Sequence, residues 1–95
     1  MAIHRLRIPD DVALLVRGLH PELKKKVRAA LHAIAETPTC GKALKEELAG
    51  LRSFRIGRFR IVYRIAEDRI IEIVSIGPRR NIYQETYRRI QRQSD

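Results

Sequence analysis

LRSFRIGRFRIVYRIAEDRIIEIVSIGPRRNIYQETY, running from Leu51 to Tyr87, decides how this chain folds. Apolar and polar residues alternate over Arg52 to Ile56 and again over Arg58 to Ile65, the two-residue period of half-buried strands. Gly57-Arg58 between them fits a two-residue hairpin with glycine first, a bulged turn being the alternative. Phe59, Ile61, Tyr63 and Ile65 share one face of the longer strand, and Arg58, Arg60, Val62 and Arg64 share the other. After Ala66-Glu67-Asp68-Arg69, Ile70 to Ile76 is apolar at nearly every position except Glu72 and Ser75, as expected of a strand covered on both sides. A Gly-Pro-Arg-Arg corner then leads into a terminal helix from Asn81 to Gln91, with Ile82, Tyr83, Tyr87 and Ile90 along one side.

Upstream, the signals are helical. Ile3 to Ile8 alternates loosely as a strand and is closed by Pro9. Asp10 or Asp11 offers an N-cap, followed by an apolar stripe of Val12, Leu15, Val16 and Leu19. Gly18 and His20-Pro21 end that short helix, and Pro21 suits the first turn of the next because its missing N–H would be unpaired there. The second helix, Pro21 to Glu36, buries Leu23, Val27, Ala30, Leu31 and Ile34 and turns Lys24, Lys25, Lys26 and Arg28 outward. His20 is expected to help cap it. Thr37-Pro38 stops it, so the two helices form an antiparallel hairpin. From Gly41 to Gly50 the pattern is weak, fitting one helical turn at Leu44–Leu48 or an irregular segment under the core.

The expected fold is therefore α+β: an N-terminal strand, a two-helix antiparallel hairpin, a three-stranded antiparallel meander and a C-terminal helix. The sheet has four strands. One of its faces takes the helical hairpin, and the other stays partly open and collects arginines. With 95 residues and no linker, repeat or low-complexity tract, residues 1–95 make a single domain with one core.

Composition narrows the function. The chain is 44% hydrophobic and 33% charged, ordinary for a soluble globular protein. Its net charge of +9 favours a polyanionic or acidic partner, a solvated basic surface being the bland alternative. No apolar run reaches the roughly 20 residues of a membrane span, and MAIHRLRIPDD lacks a signal-peptide core, so the chain reads as cytoplasmic. The single Cys40 leaves no internal disulfide, and His4, His20 and His32 are too dispersed for metal-ligand spacing.

The segment from Arg52 to Arg64 holds five arginines and no acid. Arg55 and Arg60 lie on neighbouring strands of one hairpin and can project to the same side. Arg79 and Arg80 enter from the corner, with Tyr83 one turn later. Guanidinium groups stay charged and grip phosphate oxygens in a fixed fork, so several around one phosphate would stabilise charge developing in phosphoryl transfer. RNA cleavage of this kind needs a base for the 2′-OH and a proton for the 5′-oxygen. Tyr83 or Tyr87 could serve as base, because cations near a phenol favour its phenolate. For Tyr83 a packing residue with a wet hydroxyl is the competing reading.

The combined pattern LRSFRIGRFRIVYRI, then IIEIVSIGPRRNIY, after HPELKKKVRAALHAI and KALKEELAG, resembles the RelE/ParE superfamily of toxins from type II toxin–antitoxin systems. The resemblance spans nearly the whole chain and implies a curved antiparallel sheet and a cognate acidic antitoxin that wraps the toxin in a higher-order hetero-oligomer. RelE-like members cut mRNA on the ribosome without metal or cofactor, inhibiting translation. ParE-like members inhibit DNA gyrase and have no nuclease site.

By motif, the resemblance places Arg55, Arg60, Arg79 and Tyr83 at the catalytic positions. Arg60 and Arg79 would hold the scissile phosphate. Arg55 would stabilise charge and orient the 2′-OH, and Tyr83 would act as base or stack on a nucleobase. Arg52, Arg58, Arg64 and Arg80 would contact RNA. The chain departs from the family pattern in a short turn at Gly57, in Pro78 where many relatives carry histidine, and in a short Arg79–Tyr83 spacing. The expected function is a metal-independent, ribosome-dependent mRNA endoribonuclease, with a ParE-like gyrase inhibitor as the alternative.

Overall fold

The computed structural model describes residues 4–93. Ile3, expected to open the first strand, lies outside them. Strand β1 (Arg5–Arg7) leads into helices α1 (Asp10–Arg17) and α2 (Pro21–Glu36). A short strand β2 (Lys42–Ala43) is followed by β3 (Arg52–Ile56), β4 (Phe59–Ile65), β5 (Ile70–Pro78) and helix α3 (Ile82–Gln93). The sheet order is β1-β5-β4-β3-β2, with β1 parallel to β5 and the other neighbours antiparallel. The α+β architecture is as the sequence predicts, with one strand added. Lys42–Ala43 pairs with Ser53 and Arg52, where a helical turn or irregular segment was expected. A single 3₁₀ turn follows at Glu46–Leu48.

Local chemistry explains the helix boundaries. α1 begins after Pro9, which takes the N-cap position without a side-chain bond. Asp10 and Asp11, expected as caps, lie inside the first turn instead, where their charge complements the exposed N–H groups. At α2, His20 Nδ1 accepts the Glu22 N–H at 3.3 Å, so the histidine does cap the helix. The β3–β4 turn is two residues long, since Ile56 pairs with Phe59. Gly57 takes φ +54 at its first position, a conformation that side chains other than glycine's resist.

The helical hairpin packs one face of the sheet. Val27, Leu31 and Ile34 of α2 and Val12 of α1 meet Ile56, Ile61, Tyr63, Ile71, Ile73 and Ile76. Each such aliphatic chain contributes about 1.5–3 kcal/mol by leaving water. Leu15 is not part of this core. It is 45% exposed, because the short α1 rolls Val12 and Val16 inward and leaves Leu15 at the rim.

A bulge explains why Ile70 to Ile76 lacks clean alternation. Val62 pairs with Ser75 but Tyr63 pairs with Ile73, so Val74 is the extra residue on β5. The slip keeps Ile71, Ile73 and Ile76 together under the hairpin. Val74 joins a second cluster on the opposite face, with Leu51, Val62 and Ile82.

That opposite face is covered in part by α3. Ile82 and Ile90 pack down together with Thr86, which is fully buried. Thr86 Oγ1 donates to the Ile82 carbonyl at 2.7 Å, so its 2.6 Å contact with Ser75 Oγ uses the serine as donor. Tyr87, expected on the packed side, is 40% exposed, because the step of four from Ile82 lands on Thr86. No described helix is long and apolar enough to cross a membrane.

Candidate functional site

Where α3 stops covering the sheet, the hairpin β3–β4 presents its arginines. Arg55 pairs directly with Arg60 across the two strands, so both side chains lie on the α3 side. On its other flank Arg60 pairs with Gly77, which adds no side chain there. A Cβ on Gly77 would lie 3.1 Å from Ile82 Cδ1, so this glycine also lets α3 start close to the sheet.

Three side chains meet at this point. Arg60 Nη1 donates to Ser53 Oγ at 3.3 Å, and the Tyr83 hydroxyl donates to the same oxygen at 3.2 Å. The Arg60 guanidinium carbon stands 5.8 Å from the Tyr83 ring centroid, within cation–π range. Arg60 Nε is buried and has no hydrogen-bond partner. A buried, unanswered N–H of a permanent cation is a costly feature that an incoming anion would relieve.

Beside this cluster opens a cleft of about 580 Å³ lined by Arg55, Gly57, Arg58, Pro78, Arg79 and Arg80. The Arg79 N–H donates to the Arg58 carbonyl at 2.7 Å and ties the corner after β5 to the hairpin turn. No acidic residue lines the cleft. Among the described residues, the ion pairs are Arg7–Glu72, Arg64–Glu72, His32–Glu36, Arg88–Glu85 and Arg89–Asp11, so none neutralises Arg55, Arg58, Arg60, Arg79 or Arg80. The arrangement suits a polyanion. It offers several guanidinium groups beside a phenol hydrogen-bonded to Ser53.

The expected residues thus divide. Arg55, Arg58, Arg79 and Arg80 line the cleft, and Arg60 and Tyr83 meet beside it, Arg60 pairing with Arg55. Arg52 and Arg64 do not join them. Arg52 pairs with Tyr63, on the hairpin side of the sheet, and donates to the carbonyls of Gly41 at 2.8 Å and Thr39 at 3.3 Å. Arg64 is paired with Glu72, which also draws in Arg7. Tyr87 stands on the exposed flank of α3. Among the described residues no group of three or more His, Cys, Asp or Glu side chains is placed to hold a metal ion.

Sequence reasoning did not find Ser53 or Gly77. Ser53 is 2% exposed and occupies the same strand face as Arg55. A serine inside an alternating strand, two residues before an arginine, is the one signal that was available.

Known proteins share this fold. The fold matches the toxin–antitoxin complex RelBE2 from Mycobacterium tuberculosis, at 26% identity over 81% of this chain and 99% of that one, with a TM-score of 0.70. It matches the archaeal RelE–RelB complex from Pyrococcus horikoshii at 21% identity, covering 82% and 97%, with a TM-score of 0.69. A mutant of the Escherichia coli toxin RelE in the free state matches at 16% identity, covering 96% and 98%, with a TM-score of 0.75. No curated protein matches the chain by sequence. A family model described as the ParE toxin of the type II toxin–antitoxin system parDE matches residues 6–83, and with most of its length so matched the chain belongs to this toxin family of the RelE/ParE superfamily.

Proposed function

We propose that this toxin is a metal-independent, ribosome-dependent mRNA endoribonuclease that blocks translation. The observation that carries the reading is the meeting of Arg60 and Tyr83 at Ser53, beside a cleft of arginines with no acid. Arg60 and Arg79 would bind the scissile phosphate, and Arg55 would stabilise the charge that builds on it. The Tyr83 oxygen, as phenolate, would take the 2′-OH proton while the 2′-oxygen attacks phosphorus and the bond to the 5′-oxygen breaks. Water then protonates the leaving oxygen, and the hydroxide so formed takes the proton back from Tyr83. The products are a cyclic phosphate and a 5′-hydroxyl.

Solved relatives from M. tuberculosis and P. horikoshii are complexes with an antitoxin. We extend that to this chain: a cognate acidic antitoxin would neutralise its +9 charge, in a cytoplasmic hetero-oligomer. The match to a ParE family model favours a second reading, a gyrase inhibitor with no nuclease activity. Primer extension on an mRNA in a purified translation system separates the two. Cuts that require both the ribosome and Arg60 support the nuclease. Growth arrest without cuts, and unchanged in Arg60→Ala, supports the gyrase target.

A further inference from the structure

Ser53 sits where a strand of this pattern would carry either an apolar or a charged side chain. Its hydroxyl is almost fully buried, at 2% residue exposure, between the apolar cluster of Leu51, Val62 and Ile82 and the arginine surface. Burying a hydroxyl is costly unless it is hydrogen-bonded, so an alanine would fill this space with less at stake. The oxygen accepts two bonds, from Arg60 Nη1 and from the Tyr83 hydroxyl. Those two bonds occupy both of its lone pairs. They are also the one hydrogen bond recorded for each donor side chain.

We infer that Ser53 is a positioning residue, which fixes the Tyr83 hydroxyl and the Arg60 guanidinium relative to each other through one shared oxygen. The inference rests on the nuclease reading for its catalytic consequence, while the contact itself stands apart from it. Tyr83 comes from the first turn of α3 and Arg60 from the start of β4, so the two arrive on separate elements. Ser53 on β3 ties both to the sheet. Its own hydrogen can turn once Tyr83 no longer donates to it. When Tyr83 carries its proton, Ser53 accepts from it. When Tyr83 has given the proton up, Ser53 can donate to the phenolate, so one side chain holds both states in place.

The test compares Ser53→Ala, Tyr83→Phe and the double variant with wild type in cleavage of mRNA on purified ribosomes. Ser53→Ala should lower the maximal cleavage rate roughly 10- to 100-fold, the scale of a displaced reacting group, with KM for the ribosome–mRNA complex unchanged. In the Tyr83→Phe background the same substitution should cost less than in wild type, since only the Arg60 contact is left to lose. Ser53→Thr, which keeps the oxygen, should recover most of the rate. Losses that multiply in the double variant, or a rise in KM with the rate intact, would overturn the assignment. A readout independent of cleavage is ¹⁹F NMR of protein labelled with 3-fluorotyrosine, the Tyr83 signal being identified by its absence in Tyr83→Phe. That signal should move in both Ser53→Ala and Arg60→Ala. An unmoved signal overturns the shared contact. A moved signal with a silent wild-type enzyme keeps the contact and sinks the nuclease reading.

Discussion

Arg55 and Arg60 stand directly opposite each other across the β3–β4 hairpin, two permanent cations in adjacent strands with no acid between them. Like charges in this position oppose folding, by about 0.2–1 kcal/mol for an exposed pair. A chain selected only for stability would break up the pair. Under the proposed function, keeping both arginines is the stability cost of a surface that receives negative charge. Arg55→Gln should therefore raise the midpoint of thermal unfolding at low salt, with the gain shrinking as salt screens the repulsion. The same substitution should reduce toxicity. A lower midpoint at low salt would contradict the repulsion argument.

Tyr63 supplies a second prediction, at high pH. Its hydroxyl donates to the Pro38 carbonyl at 2.6 Å and accepts the Gly41 N–H at 2.9 Å, so it clamps the loop after α2 to the sheet. Burial pushes the phenol up from 10.0 to about 12. The folded state therefore holds this proton more tightly than the unfolded chain does. The resulting stability is fully present below pH 10 and is lost as pH rises through about 12, a change on the order of 2–3 kcal/mol. Tyr63→Phe should be less stable at neutral pH, since it leaves the Gly41 N–H without its partner, yet lose less than wild type between those two pH values. Parallel denaturant melts across that range would show it.

The loop clamped by Tyr63 shows why parts of the fold were hidden from sequence. β3, β4 and α2 were legible because burial imposes a period on many residues at once. β2 has two residues, too few for any period, and exists because Arg52 and Ser53 offer an edge to pair with. The α3 stripe was misread at Tyr87 because aromatic residues usually pack inward, while the helix instead buried Thr86 and satisfied its hydroxyl. At the site, the arginines announced themselves by their number and lack of acids. Ser53 did not, since a single hydroxyl bridging two side chains distant in sequence leaves no pattern. Arg52 and Arg64 belonged to the same run of arginines, and only the structure shows their guanidinium groups already engaged.

The docking of α3 can be tested at its buried hydroxyl pair. Ser75 donates to Thr86, and Thr86 to the Ile82 carbonyl. Thr86→Val keeps the shape but strands the Ser75 hydroxyl, and should cost about 1–3 kcal/mol. Adding Ser75→Ala removes the stranded donor, so the double variant should be more stable than Thr86→Val alone. Urea midpoints for the four proteins give the coupling directly. A coupling near zero would mean that the two hydroxyls do not depend on each other. Because Tyr83 shares the first turns of α3, Thr86→Val should also lower toxicity, and the double variant should restore part of it.

The arginines themselves separate by the salt dependence of binding. A cation that contacts a phosphate displaces bound counterions, so removing it lowers the slope of log affinity against log salt by about 0.7 for a single strand. Arg79 and Arg80 line the acid-free cleft. Arg79→Ala and Arg80→Ala should each reduce the slope for a short single-stranded RNA by about that amount. Arg52 is committed to the Gly41 and Thr39 carbonyls and Arg64 to Glu72. Arg64→Ala should therefore leave the slope nearly as in wild type, and Arg52→Ala should lower stability with little change in slope. Fluorescence anisotropy over a salt series measures all four variants. Equal loss of slope in the four would show that RNA spreads over the whole basic surface and that the cleft has no special part in binding it.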